Sequence, residues 1–155
     1  MKDISLYFNN KTWYQSASPE GYVRGAAFLD GSCLKEDELI SKIPTVSAPD
    51  EHWQNALLRL NGFFAIVRRG EHGLVAAVDR VRSISLFYGK KQRRLYLSDD
   101  AEWIRQHVGD TEMDPIARDE FQLAGYVTGS DTLFANVKQL QAGELLRIRF
   151  TGDNL

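Results

Sequence analysis

The chain has 155 residues, of which 43% are hydrophobic and 26% charged, and this suits one ordinary globular domain. A net charge of −2 gives no reason to expect DNA, RNA or another polyanion as a partner. The single cysteine, Cys33, cannot form an internal disulfide, and no apolar run reaches the ~18 residues of a membrane span. We therefore expect one cytoplasmic domain over residues 1–155, without a signal peptide and without a membrane partner.

The first third of the sequence predicts short strands separated by turns. Ile4–Phe8 alternates and ends at Asn9-Asn10 before Trp13-Tyr14, and this pattern predicts a first hairpin. A second turn is expected at Ser18–Gly21, followed by a strand over Tyr22–Leu29. Asp30-Gly31 then suits the positive φ angles of a type I′ turn.

A change of periodicity predicts two helices after this turn. Leu34–Ile43 has the spacing of a short helix, which Pro44 ends. Residues 44–50 read as a linker. A second helix is expected to begin near Ser47 or Asp50 and to stop at Asn61-Gly62.

The centre of the chain has the clearest pattern. Phe63–Arg68 and Leu74–Val78 are nearly continuous apolar runs joined by residues 70–73, so they predict paired strands buried on both faces. The remaining expected elements are a hairpin of Ile84–Tyr88 with Leu95–Ser98, helices over Asp100–His107 and from Pro115 to about Ala124, and a strand over Leu145–Phe150. Many hairpins with segregated helices predict an α+β fold of at least two packed layers.

Three segments, in order, resemble the amidotransferase domain of the asparagine synthetase family. Leu60–Val67 is similar to the family's L-N-G-x-F-A-F, and Asp79–Gly89 is similar to its D-R-x-G-x-x-P-L-Y-Y-G. Gly125–Gly143 resembles its G-Y-x-x-x-x-x-T-L-F-x-x-I-x-x-L-x-P-G. The resemblance implies an N-terminal class II glutamine amidotransferase domain of the Ntn type, a four-layer αββα sandwich of two mainly antiparallel sheets.

The sequence departs from the family pattern at the N-terminal nucleophile that glutamine hydrolysis requires. An active family member exposes a cysteine at its mature N-terminus, and the α-amino group of that cysteine acts as its base. This sequence begins Met1-Lys2-Asp3, and Cys33 is internal, so its thiol has no free α-amino group beside it. We therefore expect no catalytic residue and an inactive glutaminase.

The oxyanion-binding turn also differs from the family pattern. The family uses an Asn-Gly-Glu turn, and Asp30-Gly31-Ser32 occupies the matching position as a vestigial oxyanion and substrate turn. A carboxylate at Asp30 would repel an oxyanion. Asp50 lies near the place of the family's substrate-anchoring Asp, and Arg24 is too close to the turn to match its carboxylate-binding Arg.

In the family this domain is coupled to a C-terminal ATP-pyrophosphatase domain with an S-G-G-x-D-S loop, which these residues lack. The resemblance implies no cofactor in this domain, with ATP and Mg²⁺ confined to the synthetase domain. That domain is the expected partner, in cis or in trans, and a homodimer stays open. The parent resembles a glutamine-hydrolysing asparagine synthase or a β-lactam-synthetase-like ligase of amino-acid biosynthesis, with this domain as scaffold or docking surface. The alternatives are a stand-alone amino-acid-binding module and a residual glutaminase.

Other polar groups favour ordinary structural roles. His52, His72 and His107 have no metal-binding spacing, so no metal site is expected. The basic run Lys90–Arg94 is typical of a solvated hairpin turn. Asp99-Asp100 suits the positive N-terminal end of the helix that follows.

Overall fold

The computed structural model describes residues 4–17 and 20–150. The expected α+β class with two mainly antiparallel sheets is confirmed. The chain divides into two compact units, each with its own sheet. The first unit contains residues 9–84 and the segment from Ala142, and the second contains the segment up to Phe8 and residues 85–141.

The first unit holds a six-stranded sheet and two helices. The first strand of the chain, β1 (Ile4–Tyr7), belongs to the second unit. The elements of the first unit are β2 (Tyr14–Ala17), β3 (Glu20–Leu29), β4 (Ser32–Lys35), α1 (Glu36–Lys42), α2 (Asp50–Arg59), β5 (Asn61–Gly70), β6 (Gly73–Val78) and β10 (Leu145–Arg149). The strand order is β10-β6-β5-β3-β2, and β4 pairs with the second half of β3. Every pair in this sheet is antiparallel.

The β5–β6 hairpin forms the centre of this sheet. Its apolar runs pair in the register Ala65↔Val78 to Gly70↔Gly73. β6 is buried along its whole length and β5 from Phe64 to Arg68, as their sequence predicted, but Phe63 at the start of the predicted run is 68% exposed. One face carries a core cluster that includes Phe64 and Ile66 of the sheet and Trp53 of α2, and the Trp53 side chain is fully buried. The helices therefore cover the face to which the even-numbered residues of β5 point.

The second unit holds a four-stranded sheet. Its other elements are β7 (Phe87–Lys91), β8 (Arg94–Ser98), α3 (Ala101–Val108), α4 (Pro115–Ala124) and β9 (Val137–Gln139). The strand order is β1-β8-β7-β9, with β1 parallel to β8 and the other pairs antiparallel. Ile104 and Val108 of α3 pack in a core cluster with Tyr96 and Val137.

Local sequence explains where the two helices of this unit begin and end. The carboxylate of Asp100 accepts a hydrogen bond from the Trp103 N–H, and that of Asp114 accepts from the N–H groups of Ile116 and Ala117. Each helix ends at a glycine in the left-handed conformation, Gly109 and Gly125. The predicted helices and the expected role of Asp100 are confirmed.

The predicted first hairpin is wrong. β1 pairs with β8, and β2 pairs with β3, so Ile4–Phe8 and Trp13-Tyr14 do not form a hairpin. The backbone oxygen of Asn9 accepts hydrogen bonds from the N–H groups of Thr12 and Trp13, which makes a loop. β2 pairs with β3 because the two strands are close in sequence: Ala17 pairs with Glu20 across a short connection, and closing a short loop costs little entropy. Ser18 and Pro19 of the second expected turn lie outside the described residues, and Glu20 and Gly21 already belong to β3.

Other elements also differ from expectation in their bounds, and strand β9 was not expected. Leu34 and Lys35 belong to β4, because the β3–β4 hairpin continues through the pair Ala26↔Lys35. β7 begins at Phe87 instead of Ile84. The carboxylate of Asp79 accepts hydrogen bonds from the N–H groups of Val81 and Ser83, and these bonds hold the residues before β7 in a loop. β9 has only three residues, which is too short for its alternation to stand out in the sequence.

Candidate functional site

The vestigial oxyanion turn lies between β3 and β4. Asp30 has a φ of 50° and Gly31 a φ of 84°, so the predicted type I′ geometry is confirmed. Ser32 is the exposed first residue of β4. The turn is therefore a tight hairpin end that presents its side chains to solvent.

The carboxylate of Asp30 already has a cationic partner. Nη2 of Arg59, the last residue of α2, lies 2.6 Å from Oδ2 of Asp30, and both side chains are mostly exposed. An ionised carboxylate offers only acceptors, so this side chain has no donor to give to a developing oxyanion.

Cys33 follows the turn directly. It is the second residue of β4, it pairs with Phe28 in the sheet register, and it is exposed. Peptide bonds flank it on both sides, so its thiol cannot use a terminal α-amino group as a base.

Asp50, near the expected place of the substrate-anchoring carboxylate, lies at the other end of α2. Nε of Arg147 on β10 lies 2.5 Å from its Oδ1. The rise of a helix separates the positions of Asp50 and Arg59 by about 14 Å. The structure thus places Asp50 and the Asp30 turn at opposite ends of α2 and does not bring them together around one small substrate.

A cavity that the sequence did not indicate lies within the first unit, beside α2. Its volume is about 560 Å³, and we call it the α2–β10 cavity. Its lining residues come from four separate segments of the chain: Asp50, Gln54, Leu57, Leu58, Phe64, Val78, Asp79, Arg80, Gly143, Leu145 and Arg147. No sequence motif joins these four segments, although Asp79-Arg80 belongs to the family-like segment Asp79–Gly89.

The wall of this cavity is fixed by the buried carboxylate of Asp79, which is only 2% exposed. Its two oxygens accept hydrogen bonds from the N–H groups of Phe64, Val81 and Ser83 and from the hydroxyl of Ser83, at 2.9–3.2 Å. The Asp79 backbone oxygen also accepts from the Gly143 N–H at 2.8 Å. One aspartate therefore ties β5, the loop after β6 and the approach to β10 together.

A second clamp holds the linker before α2. The Arg147 guanidinium donates to the carbonyl oxygens of Val46 and Ala48 as well as to Asp50. Arg68 on β5 donates to the carbonyl oxygens of Ile40, Ile43 and Pro44, and burial lowers the pKa of its guanidinium. Two arginines of the sheet thus hold the linker of residues 44–50 at both ends.

The other predicted polar features lie where their sequences placed them. His52 is exposed on α2, His72 lies in the β5–β6 turn, and His107 lies on the last turn of α3. Within residues 4–17 and 20–150, no group of three His, Cys, Asp or Glu side chains could hold a metal ion. Lys90–Arg94 forms the exposed tip of the β7–β8 hairpin.

The chain thus has an α+β fold whose first unit carries a hairpin turn and a separate cavity. Residues 46–154 match the family model of the glutamine amidotransferase domain, which is more than half of the chain. The chain belongs to this glutamine amidotransferase domain family. The Asp30 turn and Cys33 precede the matched range. No curated protein matches the chain. None of the helices in the described part of the chain is long and apolar enough to span a membrane.

Proposed function

We propose that this chain is a glutaminase-inactive amidotransferase domain of an asparagine synthetase-like, amide-forming protein that uses ATP. In this proposal it acts as a docking surface for the synthetase domain of that protein. The family match supports the amidotransferase part, and the resemblance of residues 60–145 supports the parentage.

The ion pair of Asp30 with Arg59 carries the proposed inactivity. In the matching turn of the family, an amide side chain and a backbone N–H donate to the oxyanion. Loss of one such donor costs about a hundredfold to a thousandfold in rate, and a carboxylate in its place adds repulsion. The only cysteine, Cys33, lies within β4, where it lacks the terminal amine that this chemistry requires.

Glutamate release from glutamine tests the inactivity. The purified chain and its Asp30→Asn and Cys33→Ser variants should all release no glutamate above buffer, while an active glutaminase in the same assay does. Asp30→Asn returns the amide donor without supplying a nucleophile, so it should not restore turnover. Glutamate release by the unaltered chain that Cys33→Ser abolishes would refute the proposed inactivity.

Helix α4 supports the docking role. It buries only Ala117 among its ten residues, and Ile116 and Leu123 are 78% and 91% exposed. These two residues are seven positions apart, so they lie on one side of the helix, and Met113 and Tyr126 add exposed apolar surface beyond its ends. Exposed apolar surface of this kind marks contact sites, and the family's partner for this domain is the synthetase domain.

Two observations test the docking role. The reading frame that encodes this chain, or a neighbouring reading frame, should encode a synthetase domain with an S-G-G-x-D-S loop. That synthetase domain should co-purify with the chain. A double variant Ile116→Glu with Leu123→Glu should lose that association, whereas Gln122→Glu with Arg118→Glu on the same helix should keep most of it. Equal association of both double variants would contradict the role of α4, and the lack of any such synthetase domain would contradict the parentage.

A further inference from the structure

The α2–β10 cavity is separate from the vestigial turn. None of Asp30, Gly31 and Ser32 lines it, and their partner Arg59 does not line it either. A volume of about 560 Å³ is in the range of pockets that bind small molecules. Asp50 does line the cavity, but the Asp30 turn lies at the opposite end of α2, so the ligand of this cavity is a separate question from the vestigial turn and from docking.

The cavity has an apolar floor on a rigid support. Phe64 and Val78 come from the two central strands and are both only 2% exposed, and Leu57 and Leu145 flank them from α2 and β10. The Asp79 hydrogen bonds fix the backbone at Phe64, so this floor is formed before any ligand arrives. Such a surface suits the hydrocarbon body of a small molecule.

Two exposed side chains that line the cavity, Arg80 and Gln54, have hydrogen-bond donors that are not used within the described part of the protein. Arg80 is exposed, and Nη2 of its guanidinium donates to the carbonyl oxygen of Leu58 at 2.5 Å. Its other N–H groups have no acceptor among the described residues, and the amide of Gln54 has no hydrogen-bond partner among them. A guanidinium and an amide that line the same cavity and both offer N–H groups favour an anionic oxygen group.

The acidic side chains of the cavity are already engaged. Asp50 is paired with Arg147, so its charge is balanced, and Asp79 is buried with its oxygens bound to four protein donors. Neither leaves an accessible, uncompensated negative charge for an ammonium group. We propose that the α2–β10 cavity binds a small carboxylate that has an apolar body and no α-ammonium group.

A matched pair of compounds tests this selectivity. In titration calorimetry with the full 155-residue chain, 3-phenylpropanoate should bind saturably. L-Phenylalanine has the same body and carboxylate plus the ammonium group, and it should bind at least about tenfold more weakly. 3-Phenylpropylamine, which replaces the anion by a cation, should not bind. Equal affinities for the three compounds, or no saturable binding of 3-phenylpropanoate, would overturn the proposal.

Two pairs of variants locate the site. Arg80→Gln and the isosteric Gln54→Glu should each weaken 3-phenylpropanoate binding by about tenfold or more, because one removes the cation and the other adds repulsion. Arg118→Gln and Gln122→Glu, the same changes on α4 of the second unit, should leave it unchanged. Unfolding midpoints of all four variants show whether each chain is folded. Similar binding by all four folded variants would refute this cavity as the site.

Discussion

Arg147 and Asp50 are 97 residues apart in the chain and form an ion pair across the first unit, with Nε of Arg147 lying 2.5 Å from Oδ1 of Asp50. The guanidinium also donates to the Val46 and Ala48 carbonyl oxygens, and the Arg147 side chain is mostly buried. This one side chain therefore fixes the linker and the start of α2 against the edge strand β10.

Arg147→Met should destabilise the protein by about 2 kcal/mol, because two carbonyl groups and a carboxylate lose a charged donor. Urea unfolding followed by tryptophan fluorescence measures the change. Arg149→Met, two residues along the same strand at an exposed position, should change the free energy of unfolding by less than about 0.5 kcal/mol. Equal losses in the two variants would mean that the clamp contributes nothing specific.

Asp79→Asn should cost about 3 kcal/mol. The amide keeps the shape of the side chain but replaces one acceptor oxygen by an NH₂ group, which then faces N–H donors in a buried site. Chemical denaturation gives the difference in free energy, with the exposed Asp119→Asn as the control. A loss no larger than that of the control would show that the four hydrogen bonds do not support the loop after β6.

Alanine variants of two glycines with similar φ angles distinguish the cost of backbone strain from the cost of a steric clash in the free energy of unfolding. At Gly31, with φ of 84°, an added Cβ meets open space, so Gly31→Ala should cost only the strain, about 1 kcal/mol. At Gly25, with φ of 91°, the Cβ would lie 2.0 Å from the backbone oxygen of Phe63. Gly25→Ala should therefore cost about 3 kcal/mol or more. Similar unfolding midpoints for the two variants would contradict the close approach of β3 and β5.

Glu102 should make stability depend on acid pH. Hydrogen bonds from Arg105 and then from Gln106 lower the pKa of its carboxyl from 4.5 to about 2. The lower pKa in the folded state means that its contribution is present above pH 4.5 and is lost as the pH falls towards 2. Because the Glu102 side chain is more than half exposed, the contribution is small and screened by salt.

The measurement is the free energy of unfolding of Glu102→Gln relative to the unaltered chain between pH 6 and pH 2. The difference should shrink steadily below pH 4.5 and should also shrink in 1 M NaCl. Glu112→Gln, at an exposed position in the loop after α3, is the control for a carboxylate outside this pair. A difference that stays constant from pH 6 to pH 2 would contradict the lowered pKa.

Local features of the fold could be predicted from the sequence. The β5–β6 hairpin follows from two apolar runs around a glycine-rich turn, and the Asp30-Gly31 turn follows from residues that tolerate positive φ. The caps of α3 and α4 follow from Asp100 and Asp114 in the same way. In each case the interacting groups lie within a few residues of one another.

Features that depend on distant partners could not be predicted in this way. The α2–β10 cavity has a lining from four separated segments, and no spacing in the chain connects Gln54 with Arg80 or Leu145. The Asp30–Arg59 pair joins residues 29 positions apart, so the resemblance could locate the turn but not its ion partner. The role of that turn as a vestigial oxyanion site stays a prediction for the glutaminase assay.

The parallel pairing of β1 with β8 has a consequence for the order in which the molecule assembles. Ile4 pairs with Leu95, and the hydroxyl of Ser98 donates to the Tyr7 carbonyl oxygen across 91 residues of chain. During translation β1 therefore leaves the ribosome long before its partner strand exists. The β7–β8 hairpin can close by itself, so β1 should be among the last elements to acquire protection from hydrogen exchange.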